Sequence, residues 1–197
     1  MSGFYQRLQE LEPRSRQAFM AALCERLLPN YGFYCQALNA QGTGQGNPQA
    51  LRAILDLVWE RLAVKGAKID FALQAEKLAE LAPRADDDSF GARRASEALA
   101  ALSALLDTLQ GEAPEAVLEV SKASRGGVRA FIELTEGEVD GERLAALVRG
   151  HPLMADENDF QDAVLEAVEG PLDRDALKAL RRLGRNEGVS NLGLSLD

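Results

Sequence analysis

Between Ala98 and Leu106 the chain reads ALAALSALL, with Ser103 the only interruption. A helix that is apolar on nearly every side needs neighbours on nearly every side. Such a run therefore demands a multi-helix packing. The rest of the chain agrees, because every strong periodic signal in it is helical and no run alternates apolar and polar residues long enough to specify a sheet. The expected fold is all-α: a single compact bundle of about eight or nine helices over residues 1–197, with residues 190–197 as a non-helical, extended tail. At 197 residues, one domain is the default.

The helical stripes can be followed along the sequence. After Pro13, residues Phe19, Leu23 and Leu27 share one face, and Pro29-Asn30 is expected to break that helix. A second short helix then carries Tyr31, Tyr34, Cys35 and Leu38. Gln41–Asn47 reads as a loop, its glycines forming a connector rather than a phosphate cradle, since no strand precedes them. Asn47-Pro48 pairs a capping side chain with Pro at the first helical position. The helix that follows lines up Leu51, Ile54, Leu55, Val58 and Leu62, with Arg52, Asp56 and Glu60 a turn apart on another face.

Asp70 is placed to cap a helix with Phe71, Ala75, Leu78 and Ala82 on its stripe. The run Asp86-Asp87-Asp88-Ser89 supplies negative charge and a cap for the long Ala/Leu helix, which Gly111 ends. Pro114 opens a helix towards Thr135, with Gly126-Gly127 a weak point open to a kink or break. A short helix at Gly141–Arg149 and two more, one with Phe160, Val164 and Val168 and one with Leu177 and Leu180, complete the reading. The two helices flanking Gly111 are the expected centre, with the Trp59 helix packed on them.

Composition sets exclusions. The net charge is −9 and the pI near 4.8, a field that repels nucleic-acid backbones and anionic lipid surfaces. Arg181, Arg182 and Arg185 read as cations at a helix C-terminus. No apolar run approaches the length of a membrane span, and the N-terminus has no signal-peptide core. A cytoplasmic, reducing setting is expected, with Cys24 and Cys35 as buried thiols. A bridge between them requires the helices around Pro29 to form a hairpin.

Catalytic chemistry finds little support. His151 is the only histidine, which removes two-histidine metal helices, and it reads as an exposed loop residue. Cys24 lies on an apolar helix face, where a thiol is inert core. There is no nucleophile elbow and no phosphate-binding loop. The pairs Glu112/Glu115, Glu133/Glu136 and Glu166/Glu169 have the Glu-x-x-Glu spacing of magnesium-holding helices, but in so acidic a chain they read as solvated faces. The candidate site is a polar edge of Glu25, Arg26, Arg52, Asp56, Glu60 and Asp86.

Leu23-Cys24-Glu25-Arg26, Pro29-Asn30-Tyr31, Cys35-Gln36, Ile54-Leu55-Asp56-Leu57, Trp59-Glu60 and Val64-Lys65 together resemble the YjaG family of small bacterial proteins. The resemblance continues through Phe71, Pro83, Ala85-Asp86-Asp87, Glu119-Val120-Ser121-Lys122 and Ser190-Asn191-Leu192-Gly193. It implies an all-helical cytosolic protein and carries over no functional residues. The chain departs from the family pattern in a longer loop at Ala40–Gln49, and at Arg94 and Glu97, where the family has Pro and Asp.

The function expected is that of a non-enzymatic helical protein acting on a protein partner or on itself as a homo-oligomer, with no cofactor and no nucleic-acid or membrane partner. The alternative is a carboxylate-dependent, magnesium-requiring hydrolase of nucleotides or similar phosphate esters, using Glu25, Asp56, Glu60 and Asp86.

Overall fold

The computed structural model describes residues 2–42, 46–111, 113–137 and 139–196. The middle of the Gln41–Asn47 loop and Glu112 of the Glu112/Glu115 pair lie outside them. Among the described residues there are nine α-helices: α1 (Ser2–Glu10), α2 (Pro13–Ala40), α3 (Pro48–Ala63), α4 (Phe71–Ala79), α5 (Phe90–Leu109), α6 (Ala116–Glu136), α7 (Gly141–Gly150), α8 (Pro152–Glu169) and α9 (Arg174–Arg185). A 3-10 turn at Asn186–Gly188 follows, and the tail folds back through one antiparallel bridge between Val189 and Ser195. No strand forms among the described residues beyond that bridge, so the all-α expectation holds. The tail is a closed turn rather than a free extension, pinned by Ser190 N–H donating to the Leu194 carbonyl at 2.8 Å.

Local chemistry starts most helices where the sequence places them. Asn47 accepts from Ala50 N–H at 3.0 Å ahead of Pro48, and Asp70 accepts from Leu73 N–H at 3.0 Å. The cap of α5 is Ser89 alone, accepting from Ala92 N–H at 3.1 Å. Asp87 instead takes the Tyr34 hydroxyl at 2.7 Å and the Ser89 N–H at 3.1 Å, so one member of the acidic run ties α2 to the start of α5. His151, expected in an exposed loop, is half-buried between α7 and α8 and caps α8 by accepting Leu153 N–H on Nδ1 at 3.1 Å.

Three expectations about helix continuity and centre fail. Pro29 does not end its helix: α2 runs unbroken for 28 residues with Pro29 inside it. The missing Pro29 N–H removes one rung, the one to the Glu25 carbonyl, at a cost of about 3 kcal/mol. Packing of the flanking turns outweighs it, since every residue from Ala18 to Leu27 is buried. Gly126-Gly127 does not interrupt α6 either, for the same reason: Val120, Ser124, Val128 and Ile132 are all buried along it.

The third failure concerns the centre. It is α2, which packs chiefly on α5 and also touches α3, α6, α8 and α9. The Trp59 helix, α3, packs on α2, α4 and α9 instead of on the pair around Gly111. In α5, Ala100 and Ser103 remain exposed, so the Ala/Leu run has one open face. The helix covered on every side is α2, although it carries Glu25 and Arg26 in its most enclosed stretch.

Candidate functional site

Glu25 sits at the centre of the candidate site because three helices converge on it. α2 places its carboxylate towards α3 and α9, with the side chain fully enclosed. α3 presents Arg52, Asp56 and Trp59 from successive turns of one face. α9 comes close enough to contribute because its contact residue is Gly184. A Cβ there would lie 2.7 Å from the Ala22 carbonyl oxygen and 3.0 Å from the Glu25 Cβ. Arg181 and Arg185, on either side of Gly184, are thereby aimed at the same carboxylate.

The geometry gives Glu25 three hydrogen bonds and two further guanidiniums nearby. Arg52 Nη1 donates to its two oxygens at 2.7 and 2.6 Å, and Trp59 Nε1 donates to Oε1 at 2.9 Å. Arg181 Nε lies 3.4 Å from Oε1 and Arg185 Nε 3.7 Å from Oε2. Arg181 also donates to Asp56, stands 5.8 Å from the centre of the Trp59 ring and is partly exposed. Arg52 Nη1 is 3.7 Å from Asp56. Among the described residues three guanidiniums thus meet two carboxylates, a formal surplus of one positive charge in a chain of net −9.

Beside this cluster opens a pocket of about 370 Å³ between α2, α3 and the C-terminal tail. Leu28, Pro29, Leu51, Pro48 and Leu196 give it apolar walls, while Glu25, Arg52 and Arg185 give it a charged side. Gly32 forms part of the floor, and Leu196 rests directly against it where a side chain would otherwise stand. Tyr31 closes the inner end: its hydroxyl donates to the Leu81 carbonyl at 3.0 Å and accepts from Asn47 N–H at 3.4 Å. Burial pushes that phenol up to about 12.

The sequence-based edge is therefore partly assembled. Glu25, Arg52 and Asp56 come together, but Glu25 is buried rather than outward-facing. Arg26 leaves the other side of α2, where its guanidinium lies 4.1 Å over the Phe160 ring. Glu60 is exposed, with no ion-pair partner among the described residues. Asp86 is on the loop after α4, paired with Arg84 at 2.8–3.1 Å, and lines a different pocket with Tyr34 and Leu38. Cys24 and Cys35 are free and eleven residues apart on one straight run of helix, about 16 Å at 1.5 Å per residue, too far to bridge. Glu133 pairs with Arg129 and Glu169 with Arg7. Among the described residues no three His, Cys, Asp or Glu side chains converge as metal ligands.

Trp59, Arg181 and Arg185 were not part of the sequence-based edge. One signal pointed to the two arginines: Gly184 inside the amphipathic helix LKALRRLGR costs about 1 kcal/mol relative to Ala, and such a residue marks a close backbone approach. The arginines a turn before and one residue after it share that approach.

A second polar layer lies on the Arg26 side. Glu157 is fully buried, accepting from Ser124 Oγ at 2.5 Å and Gln161 Nε2 at 2.7 Å, with its other oxygen unpartnered. Burial pushes its carboxyl up, against the pull of those hydrogen bonds and of Arg26 and Arg125. Asn191 of the tail enters the same region, accepting from Asn30 at 2.8 Å and donating to the Ser124 carbonyl at 3.0 Å. Arg94 and Glu97, the two departures from the resembling family pattern, are partners at 3.1 Å.

The nine helices among the described residues, packed around α2 with a buried carboxylate at its centre, define an all-α protein. The family model described as "Protein of unknown function (DUF416)" matches residues 3–195, and the chain belongs to that family. It is 41% identical over 194 residues to the Escherichia coli K12 "Uncharacterized protein YjaG", covering 95% of this chain and 94% of that protein. It is 36% identical over 196 residues to an uncharacterized protein of Haemophilus influenzae, covering 96% and 95%. A solved crystal structure of a DUF416 family protein from Shewanella baltica OS155 matches with a TM-score of 0.88 and 31% identity, over the full length of both chains.

Proposed function

We propose that this protein is a non-catalytic binding protein whose working surface is the pocket between α2, α3 and the tail. The observation that carries this reading is the state of Glu25. Its oxygens are occupied by Arg52 and Trp59 donors, with Arg181 and Arg185 close behind. A carboxylate held by three hydrogen bonds and enclosed on every side has little room left for a magnesium ion or a water to activate. Asp56, half exposed, is engaged on Oδ1 by Arg181 and Arg52. The hydrolase alternative would need both groups unpaired.

The pocket has the size and lining of a ligand site, with mostly apolar walls and a few convergent polar groups. Docking of a partner protein or a second copy on a helix face has less support. The six large exposed apolar side chains found among the described residues, Val64, Leu73, Leu134, Leu147, Leu183 and Leu196, come from six different segments.

A thermal-shift screen over divalent metals, nucleotides and small amphiphiles tests the reading, since a ligand that binds only the native state raises its stability. The expected result is stabilisation by an amphiphile without turnover. Magnesium-dependent release of phosphate from a nucleotide, abolished by Glu25→Gln, would replace this reading with the hydrolase.

A further inference from the structure

We infer that the pocket takes an aliphatic monocarboxylate, its chain along Leu28, Pro29, Leu51 and Leu196 and its carboxylate on Arg185. This rests on the binding reading above and names the chemical class of its ligand.

Arg185 is the group left over by the cluster. Its side chain is half exposed at the pocket wall, its Nε comes no nearer than 3.7 Å to Glu25, and it has no hydrogen-bond acceptor among the described residues. Arg52, by contrast, already donates to both Glu25 oxygens, and Arg181 donates to Asp56. A guanidinium with free terminal N–H groups presents the planar fork that matches a carboxylate.

Charge counting selects a monoanion. The surplus beside the pocket among the described residues is one positive charge, which one carboxylate neutralises. A phosphate dianion would overcompensate it and face Glu25 in the pocket wall, inside a chain already at −9. The walls select the rest of the ligand, because beyond the two arginines and Glu25 the pocket is lined mainly by Leu, Pro, Gly and the Tyr31 ring. Leu196 already fills part of it against Gly32, which shows that an unbranched floor accepts an aliphatic group of leucine size.

Isothermal titration of the full chain with sodium octanoate tests the assignment. Fluorescence of Trp59, the single tryptophan, whose indole N–H is bonded to Glu25, provides a second readout. Octanoate is expected to bind saturably at a single site, with 1-octanol and inorganic phosphate each binding at least roughly tenfold more weakly, the scale of one charge-assisted hydrogen bond. Arg185→Gln, at an exposed position, is expected to weaken octanoate by roughly tenfold or more while leaving the melting temperature within a few degrees. Leu196→Trp, which crowds the wall without touching the charges, is expected to weaken octanoate and 1-octanol alike.

Absence of saturable octanoate binding below a Kd of about 1 mM overturns the ligand assignment. So does binding that Arg185→Gln leaves unchanged, or an acetylated peptide with the sequence of residues 194–197, Leu-Ser-Leu-Asp, binding where octanoate does not. If 1-octanol or the peptide binds and Leu196→Trp blocks it, the binding reading stands and only the carboxylate is wrong. If no amphiphile responds to Leu196→Trp, both fail.

Discussion

Gly184 of α9 lies against the backbone of Ala22 in α2, so closely that a Cβ would stand 2.7 Å from the Ala22 carbonyl oxygen and 3.0 Å from its Cα. Both atoms belong to the most enclosed stretch of the central helix and cannot give way. Gly184→Ala should therefore destabilise the protein by about 1–3 kcal/mol, although alanine is the better helix former. Gly126→Ala is the matched control: that glycine is exposed in α6 with nothing within 4 Å of its missing Cβ. It should stabilise by up to about 1 kcal/mol. Urea midpoints of the two variants moving in opposite directions would confirm the contact, and two shifts of the same sign would refute it.

Glu25 and its donors should respond asymmetrically to truncation. Removing the acceptor leaves partly buried guanidiniums and the Trp59 N–H uncompensated, so Glu25→Ala should cost about 3–5 kcal/mol. Trp59→Phe removes one donor among several and should cost about 1–2 kcal/mol. The order of the two unfolding free energies is the measurement, and a larger loss for Trp59→Phe would mean that ring packing, not the carboxylate, organises the cluster.

Glu157 gives a pH signature. Its carboxyl is pushed up by burial, so the native state holds that proton more tightly than the unfolded chain does. The stabilisation this brings is complete below the unfolded value of about 4.3 and is lost as the pH rises through the higher native value. Glu157→Gln keeps an oxygen for the Ser124 and Gln161 donors and removes the titration. Its stability relative to the wild type should rise from about pH 4 towards neutrality, read as the difference between urea midpoints. A flat difference would place the proton elsewhere.

The thiols should be silent in the folded protein. Cys24 and Cys35 are 1% and 2% exposed, and burial pushes both upward, helped at Cys24 by the neighbouring Glu25 charge. Reaction with an aromatic disulfide reagent should be slow in buffer and rapid for both groups in guanidinium chloride. Mass spectrometry without reductant should show no intramolecular bridge, because one continuous helix holds the sulfurs apart.

Much of the helical layout was legible in sequence because it depends on short-range physics. Asn47-Pro48, Asp70 and Ser89 start helices through bonds to residues three positions on, and stripes such as Leu51, Ile54, Leu55 and Val58 follow from helical period alone. Pro29 was misread for the complementary reason. Its local cost is real, but the burial that overrides it comes from α5, α8 and α9, far away in the chain. The opening helix α1, with Phe4 and Leu8 buried, is too short for its period to stand out.

The candidate site divides in the same way. Composition and periodicity determined an all-helical chain, its acidic character and the one-turn spacing that puts Arg52, Asp56 and Glu60 on neighbouring turns of α3. Only the tertiary structure decided that α2, charges included, is the buried centre, and that Glu25 is the point where α3 and α9 meet. The physical reason is the cost of burying a charge: Glu25 is tolerated inside because Arg52 and Trp59 of α3 hydrogen-bond it, while Gly184 lets a helix some 160 residues away bring Arg181 and Arg185 near.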